Sequence, residues 1–220
     1  MNLLTALMTG ATSGPPIPVY EAPSTAVLVL DLQRDFLAAD ARMPIARNQV
    51  DGVLAASNAV IGAAAESGAK VVYVANQFSP SDVVANLFRR SAALRGSRGA
   101  ELDPRVLEVE GEHFPKSARD AFTNPDLDAY LRRERVSRLV VLGVFADACV
   151  RGTILGALNR GYAVTVVREG VGASSDSSCA SALAAYAKAG ATVAAVDDVV
   201  LSLRADRSAA SPTTPLVATR

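Results

Sequence analysis

The sequence predicts an α/β protein, a three-layer α/β/α sandwich with a mostly parallel six-stranded sheet. Three observations point there. Strand-length stretches recur at 27–30, 70–75, 112–115, 139–143, 163–167 and 192–196, most of them rich in Val, Leu and Ala and two of them, 27–30 and 139–142, without a break. Runs of this kind suit strands buried on both faces. Between them lie segments in which small and apolar residues recur at helical spacing, and helical connections make neighbouring strands parallel with right-handed crossovers. Finally, a chain of 220 residues has enough material for one sizeable core rather than two. The expected organisation is an N-terminal arm (1–24), one domain (25–203) and a mobile Ser-, Thr-, Ala- and Pro-rich tail (204–220).

Each element has its own signal. The arm carries Leu3, Leu4, Leu7 and Met8, then the turn-rich Gly14-Pro15-Pro16-Ile17-Pro18. No Lys or Arg precedes the apolar patch, which is too short to span a bilayer, so neither secretion nor membrane insertion is expected. The arm is read as lying on the surface or on a partner subunit. The first strand, 27–30, runs directly into Asp31, with Gln33, Asp35 and Phe36 just beyond. Residues 50–67 show an apolar stripe suited to a helix, and Gly68 closes it as a C-terminal cap. The second strand is 70–75. Residues 79–105 read as a loop holding Arg89, Arg90, Arg95 and Arg98, either a solvated or subunit-contacting excursion or a lid with an anion-binding arginine.

The third strand, 112–115, leads to Lys116. Asn124 then caps a helix with Pro125 at its first position and Leu127, Tyr130 and Leu131 facing inward. The fourth strand, 139–143, enters a tight turn, and from Cys149 on Val150, Thr153, Ile154, Ala157 and Leu158 repeat at helical spacing. The fifth strand (163–167) and sixth strand (192–196) flank a helix over 178–189 closed by Gly190.

Composition narrows the function. With 22 basic and 22 acidic residues and no basic block beyond the short arginine segment, neither nucleic acid nor a membrane surface is an expected partner. A small molecule is. Two cysteines, Cys149 and Cys179, make no disulfide framework and fit a reducing compartment, hence the cytoplasm. A single histidine, His113, and no Cys-x-x-Cys pair leave few metal ligands, so no metal and no cofactor are expected.

Asp31, Lys116 and Cys149 all fall at or just past carboxyl ends of strands, the edge where open α/β sheets place ligands. Cys149 at the start of a helix meets unpaired backbone N–H groups and a positive dipole, which favour thiolate. A carboxylate, an ammonium and a thiol around one crevice suffice to hydrolyse an amide. Asp31 would take the thiol proton and return it to the departing amine. Lys116 would hold the carboxylate and favour the thiolate. The backbone N–H of Cys149 and one from the preceding turn would receive the oxyanion. Gln33, Phe36, Phe122 and Phe145 are candidate substrate-binding side chains, with core packing the competing reading for each phenylalanine, as for Phe78. His113 reads as a strand-end residue rather than a general base, and Cys179 as inert.

Three motifs carry a resemblance. Thr25-Ala-Val-Leu-Val-Leu-Asp-Leu-Gln-Arg-Asp-Phe36, Phe114-Pro-Lys-Ser-Ala-Arg-Asp-Ala-Phe122 and Gly143-Val-Phe-Ala-Asp-Ala-Cys-Val-Arg-Gly-Thr153 resemble, in this order, the opening, lysine and cysteine signatures of the isochorismatase-like cysteine hydrolases. Similarity continues through Ala157, Gly161-Tyr162 and Gly190-Ala191. The resemblance implies the Rossmann-like fold of that family and an Asp31, Lys116 and Cys149 triad. It also implies a non-proline cis peptide at Val144-Phe145, a Phe145 N–H in the oxyanion hole, and a homo-oligomer. Nicotinamidases of the group hold a metal through an Asp-x-His pattern after the second strand; Gln77 and Ser79 stand at those places here, so the resemblance implies no metal and disfavours nicotinamide. The implied activity is hydrolysis of a C–N bond in a small amide, carbamoyl compound or lactam through a Cys149 thioester. Two alternatives stand beside it, an isochorismatase-type vinyl-ether hydrolase using Asp31 without the cysteine, and a non-catalytic subunit or binding protein.

Overall fold

The central strands are apolar on both sides because both sides are covered. In β1 (Ser24–Leu30) Ala26, Leu28 and Leu30 point into one core and Val27 and Val29 into the other. The computed structural model describes residues 10–210. Its sheet contains β1, β2 (Lys70–Asn76), β3 (Glu112–Lys116), β4 (Val136–Val144), β5 (Ala163–Gly172) and β6 (Thr192–Ala194), in the order β3-β2-β1-β4-β5-β6. All five pairings are parallel, which sharpens the expected "mostly parallel" sheet to a wholly parallel one. The chain winds outward from β1 to β3, crosses back to β4 beside β1, and winds out the other way. The carboxyl ends of β1 and β4 therefore flank the point where the winding reverses, the usual position of a ligand crevice.

Seven α-helices are described: α1 (Arg34–Leu37), α2 (Arg47–Ser67), α3 (Val83–Phe88), α4 (Pro125–Arg133), α5 (Arg151–Leu158), α6 (Asp176–Ala189) and α7 (Val196–Ala210). One core joins the sheet to α2 and α7 through Val53, Val60, Ile61, Val199 and Leu203; the other joins it to α4, α5 and α6 through Leu127, Leu131, Ile154 and Tyr186. Local chemistry sets the helix ends. Asn124 accepts the Asp126 N–H at 3.0 Å with Pro125 following, and Gly68 and Gly190 close α2 and α6 with φ of 78° and 102°. No described helix is long and apolar enough to cross a membrane.

Four segments differ from the sequence reading. Residues 79–105 are not all loop: they contain α3 and a short turn at Arg98–Ala100. The sixth strand stops at Ala194, and Val196 opens α7, because Val199 and Leu203 pack on the α2 core. That helix carries past Leu203 to Ala210, where a mobile tail was expected; residues 211–220 lie outside those described. β5 runs on to Gly172 across a register shift in its pairing with β4. The described part of the arm lies on its own chain. The Thr12 N–H and Oγ1 donate to the buried Asp120 carboxylate at 2.7 and 2.6 Å, and the Ile17 N–H donates to the Arg160 carbonyl at 2.8 Å. Leu3, Leu4, Leu7 and Met8 fall outside the described residues.

Candidate active site

Asp31 ends β1 in a left-handed conformation, φ 55°, which aspartate tolerates better than most residues. Its N–H is held by the Val74 carbonyl at 2.8 Å, and its carbonyl accepts the Gln33 N–H at 2.7 Å. The kink turns the carboxylate into the carboxyl edge of the sheet, where it is fully buried. Lys116, the last residue of β3, lies two strands away. Its side chain reaches across the end of β2 to bring Nζ within 2.8 Å of Asp31 Oδ2, and both side chains are completely enclosed. The ammonium also donates to Asn76 Oδ1 at 2.7 Å and to the Ala118 carbonyl at 3.2 Å.

The third group arrives from β4. The strand ends in Gly143, Val144 and a cis Val144–Phe145 peptide, then one wide turn over Ala146–Val150 that leads straight into α5. In that turn the Ala148 and Val150 N–H groups share the Phe145 carbonyl at 3.0 and 3.1 Å, and the Tyr186 hydroxyl from α6 donates to the Ala146 carbonyl. Wide helical turns of this kind recur at functional sites. Cys149 sits in it, partly open to the surface, with Sγ 3.6 Å from Asn76 Nδ2. Asp31, Lys116 and Cys149 therefore meet, joined through Asn76. Asn76 is a residue the sequence reading missed; the sheet sets it in register with Lys116 at the end of β2.

Gly143 makes the approach possible. Its φ is 131°, and a Cβ there would overlap the Leu30 carbonyl oxygen immediately before Asp31. Gly143→Ala is expected to cost about 1–3 kcal/mol from backbone strain alone, and more from the overlap. Urea unfolding will measure it, and a variant as stable as the parent would show that the β1–β4 junction has room to spare.

Burial dominates the electrostatics. It drives the Asp31 carboxyl above the ordinary carboxylate range, against the pull of the Lys116 charge and hydrogen bonding. Burial also works against the Lys116 ammonium, but the attraction of Asp31 and Cys149 leaves that amine above its usual value. For Cys149 the helix-start position predicted a lowered thiol. The structure reverses this: burial, with the nearby Asp31 charge, outweighs Lys116 and the Asn76 hydrogen bond and pushes the thiol up. Cys149 at rest is thus a thiol, and any nucleophilic use of it would need a base. The Asp31 carboxylate faces both Lys116 Nζ, at 2.8 Å, and the Cys149 thiol, so it is placed to accept the thiol proton.

The other candidates divide. Phe36 and Phe145 meet edge to face at 5.4 Å in one core, where the chain enters the turn that holds Cys149. Phe122 belongs to the opposite core, 5.7 Å from the Tyr162 ring and 4.6 Å beneath the Arg160 guanidinium, so its ring is taken up by core packing. Gln33 is fully buried and its amide is spent within the protein: Nε2 donates to the Asn76 and Ala100 carbonyls at 2.8 and 2.7 Å, and Oε1 accepts the Asn76 N–H at 2.9 Å. It fixes Asn76 and has nothing left to offer a substrate. His113 stacks on Tyr73 at 4.7 Å and lies 3.3 Å from Glu108. The Gln77 N–H is held by the Lys116 carbonyl and Ser79 Oγ pairs with Ser81 Oγ. Among the described residues no three His, Cys, Asp or Glu converge as metal ligands.

Residues 25–198 match the profile of the isochorismatase domain. The chain belongs to the isochorismatase family. It is similar to the nicotinamidase of Escherichia coli K12, with 28% identity over 176 residues that cover 67% of this chain and 83% of that protein. The structure of N-carbamoylsarcosine amidase from Thermoplasma acidophilum matches with a TM-score of 0.68 and 28% identity, covering 79% of this chain and 97% of that one. An isochorismatase-like hydrolase from Alkaliphilus metalliredigens matches with a TM-score of 0.75 over 81% of this chain and 98% of its own, and at 22% identity it speaks for the fold alone. The isochorismatase family thus includes amide hydrolases similar to this chain, and the triad motifs lie inside the matched span.

Proposed function

We propose that this isochorismatase-family chain is a cysteine hydrolase of a C–N bond other than a peptide bond, in a small amide, carbamoyl compound or lactam. The observation that supports it most is the ion pair of Asp31 with Lys116 at 2.8 Å beside the Cys149 thiol, on a residue that is itself partly exposed. In the proposed cycle Asp31 takes the Cys149 proton and the sulfur attacks the carbonyl carbon. The oxyanion is received by the backbone N–H groups of Phe145 and Cys149, each donor worth roughly 3 kcal/mol in such sites. Asp31 returns the proton to nitrogen as the C–N bond breaks and the amine leaves, and Cys149 keeps the acyl group as a thioester. Asp31 then deprotonates water, which attacks the thioester; the acid departs and the proton returns to sulfur. Lys116 stays charged throughout and keeps Asp31 and the nascent thiolate compatible in a buried site. Phe36 and Phe145, paired edge to face where the chain enters the turn that holds Cys149, are the side chains proposed to meet an apolar part of the substrate. The two free cysteines fit action in the reducing cytoplasm, and the family resemblance favours a homo-oligomer.

The test is a panel of primary amides, carbamoyl amino acids and lactams offered to the full chain, with product acid, amine and ammonia measured and the intact protein weighed during turnover. The expected result is hydrolysis of one class (acid and ammonia from an amide, ammonia, carbon dioxide and the free amine from a carbamoyl compound, or an amino acid from a lactam) and a covalent adduct on Cys149 that iodoacetamide pretreatment prevents. Hydrolysis that survives complete alkylation of Cys149, or no product from any class, would overturn the reading.

A further inference from the structure

Lys116 is on β3 and Asp31 on β1, so the lysine must cross the end of the intervening β2. The residue it crosses is Asn76, its own register partner. Asn76 is 2% exposed, and Gln33 holds both its backbone N–H and its carbonyl. Its side chain is placed just as tightly. An ammonium can only donate, so the oxygen of the carboxamide must face Lys116, at 2.7 Å, and the NH2 is thereby aimed at the Cys149 sulfur, at 3.6 Å. The orientation of this amide is dictated by chemistry rather than chosen.

We infer that Asn76 is a fourth working member of the catalytic set, a neutral donor that receives the Cys149 thiolate and passes to it the influence of the Lys116 charge. The inference rests on the thioester reading of the site for its catalytic meaning. When the Cys149 thiol loses its proton, the Lys116 charge and the Asn76 amide are the two groups that favour the thiolate, and one amide N–H polarised by an ammonium at its other end is a stronger donor than an isolated amide. A second cation here would compete with Lys116 for Asp31, and a carboxylate would repel the thiolate. An amide avoids both. Asparagine's reach also matches the gap, spanning Lys116 and Cys149 from a strand that lies between them.

The experiment measures Cys149 alkylation by iodoacetamide against pH on the full chain, resolved by peptide mass so that Cys179 does not interfere. In Asn76→Ala the midpoint should rise by about one unit, about tenfold less thiolate at a given pH, as expected for loss of a hydrogen bond to a charged group. In Asn76→Asp it should rise further, because the variant keeps an acceptor for Lys116 but sets a carboxylate against the sulfur. Asn76→Asp preserves the shape of the side chain, so the question stays answerable where Asn76→Ala fails to fold. A midpoint unmoved in both folded variants would overturn the inference. The outcome separates cleanly from the proposed function: a shifted midpoint in a protein that hydrolyses no amide upholds the Asn76 contact and sinks that reading, whereas amide hydrolysis with an unmoved midpoint does the reverse.

Discussion

Cys149→Ala is expected to lower kcat for amide hydrolysis by roughly 10⁴- to 10⁶-fold, the scale on which removal of a nucleophile acts when the other groups have nothing to work on. The substitution takes one sulfur from a partly exposed residue, and with it a long contact, 3.6 Å, to Asn76 and the interactions with Asp31 and Lys116. The turn around it is held by backbone bonds to Phe145 and by Tyr186, neither of which involves the sulfur. Stability should therefore change by less than about 1 kcal/mol, within the range of changes that break no buried network. Cys149→Ser should be nearly as inactive. A hydroxyl is a far weaker acid than a thiol, and in an enclosure that already pushes the thiol up Asp31 would have little prospect of deprotonating it. Steady-state kinetics on both variants, with urea unfolding alongside, decide the matter. Amide turnover retained in a pure, folded Cys149→Ala protein would take the nucleophilic role from the cysteine and leave Asp31 to act on water directly.

Much of this was legible in the sequence because the strands report their own burial. Residues 27–30 and 139–142 are apolar throughout, which only a strand covered on both faces requires, and reactive residues that directly follow such strands are brought to one edge by the topology. What escaped had no such periodic mark. The helix α3 was missed because Val83, Val84, Leu87 and Phe88 are exposed in the structure, so their apolar pattern is not matched by a buried face. Phe122 was placed with the substrate because a phenylalanine in a motif turn carries no sign of which side of the sheet it will enter; Asp120, accepting the Phe122 N–H at 2.9 Å, begins the turn that sends it to the far core. Asn76 was hidden because an asparagine after a strand usually marks a turn. The direction of the Cys149 titration was misjudged for a related reason: a helix start can be read from sequence, whereas the depth at which it is buried comes from packing across α5, α6 and the sheet.

Lys116→Met carries the largest expected effect on the fold itself. It leaves the Asp31 carboxylate enclosed without its counter-charge, and breaking a buried pair from one side costs about 3–5 kcal/mol. The loss should depend on pH, with a definite sign. Burial already raises Asp31, and the lysine is what holds it back; without it the carboxyl moves further up. Over the interval between the unfolded value, 3.8, and that raised folded value, the folded protein keeps a proton the unfolded chain has lost, so stability falls as pH increases. The variant should lie nearest the parent in acid and furthest from it near neutrality. The same displacement acts on catalysis, because a protonated Asp31 cannot accept from the thiol: the acid limb of kcat/KM should move to higher pH as kcat falls. Adding Asp31→Asn to Lys116→Met should recover much of the stability, since two neutral groups of similar size replace a lone charge, and recover none of the turnover. Urea unfolding of the three proteins in mild acid and at neutral pH, with a pH–rate profile for Lys116→Met, reads all of these. A stability loss of equal size at both pH values would mean that the ammonium supports the fold by packing alone, and that the Asp31–Lys116 contact does not govern the ionisation on which the chemistry depends.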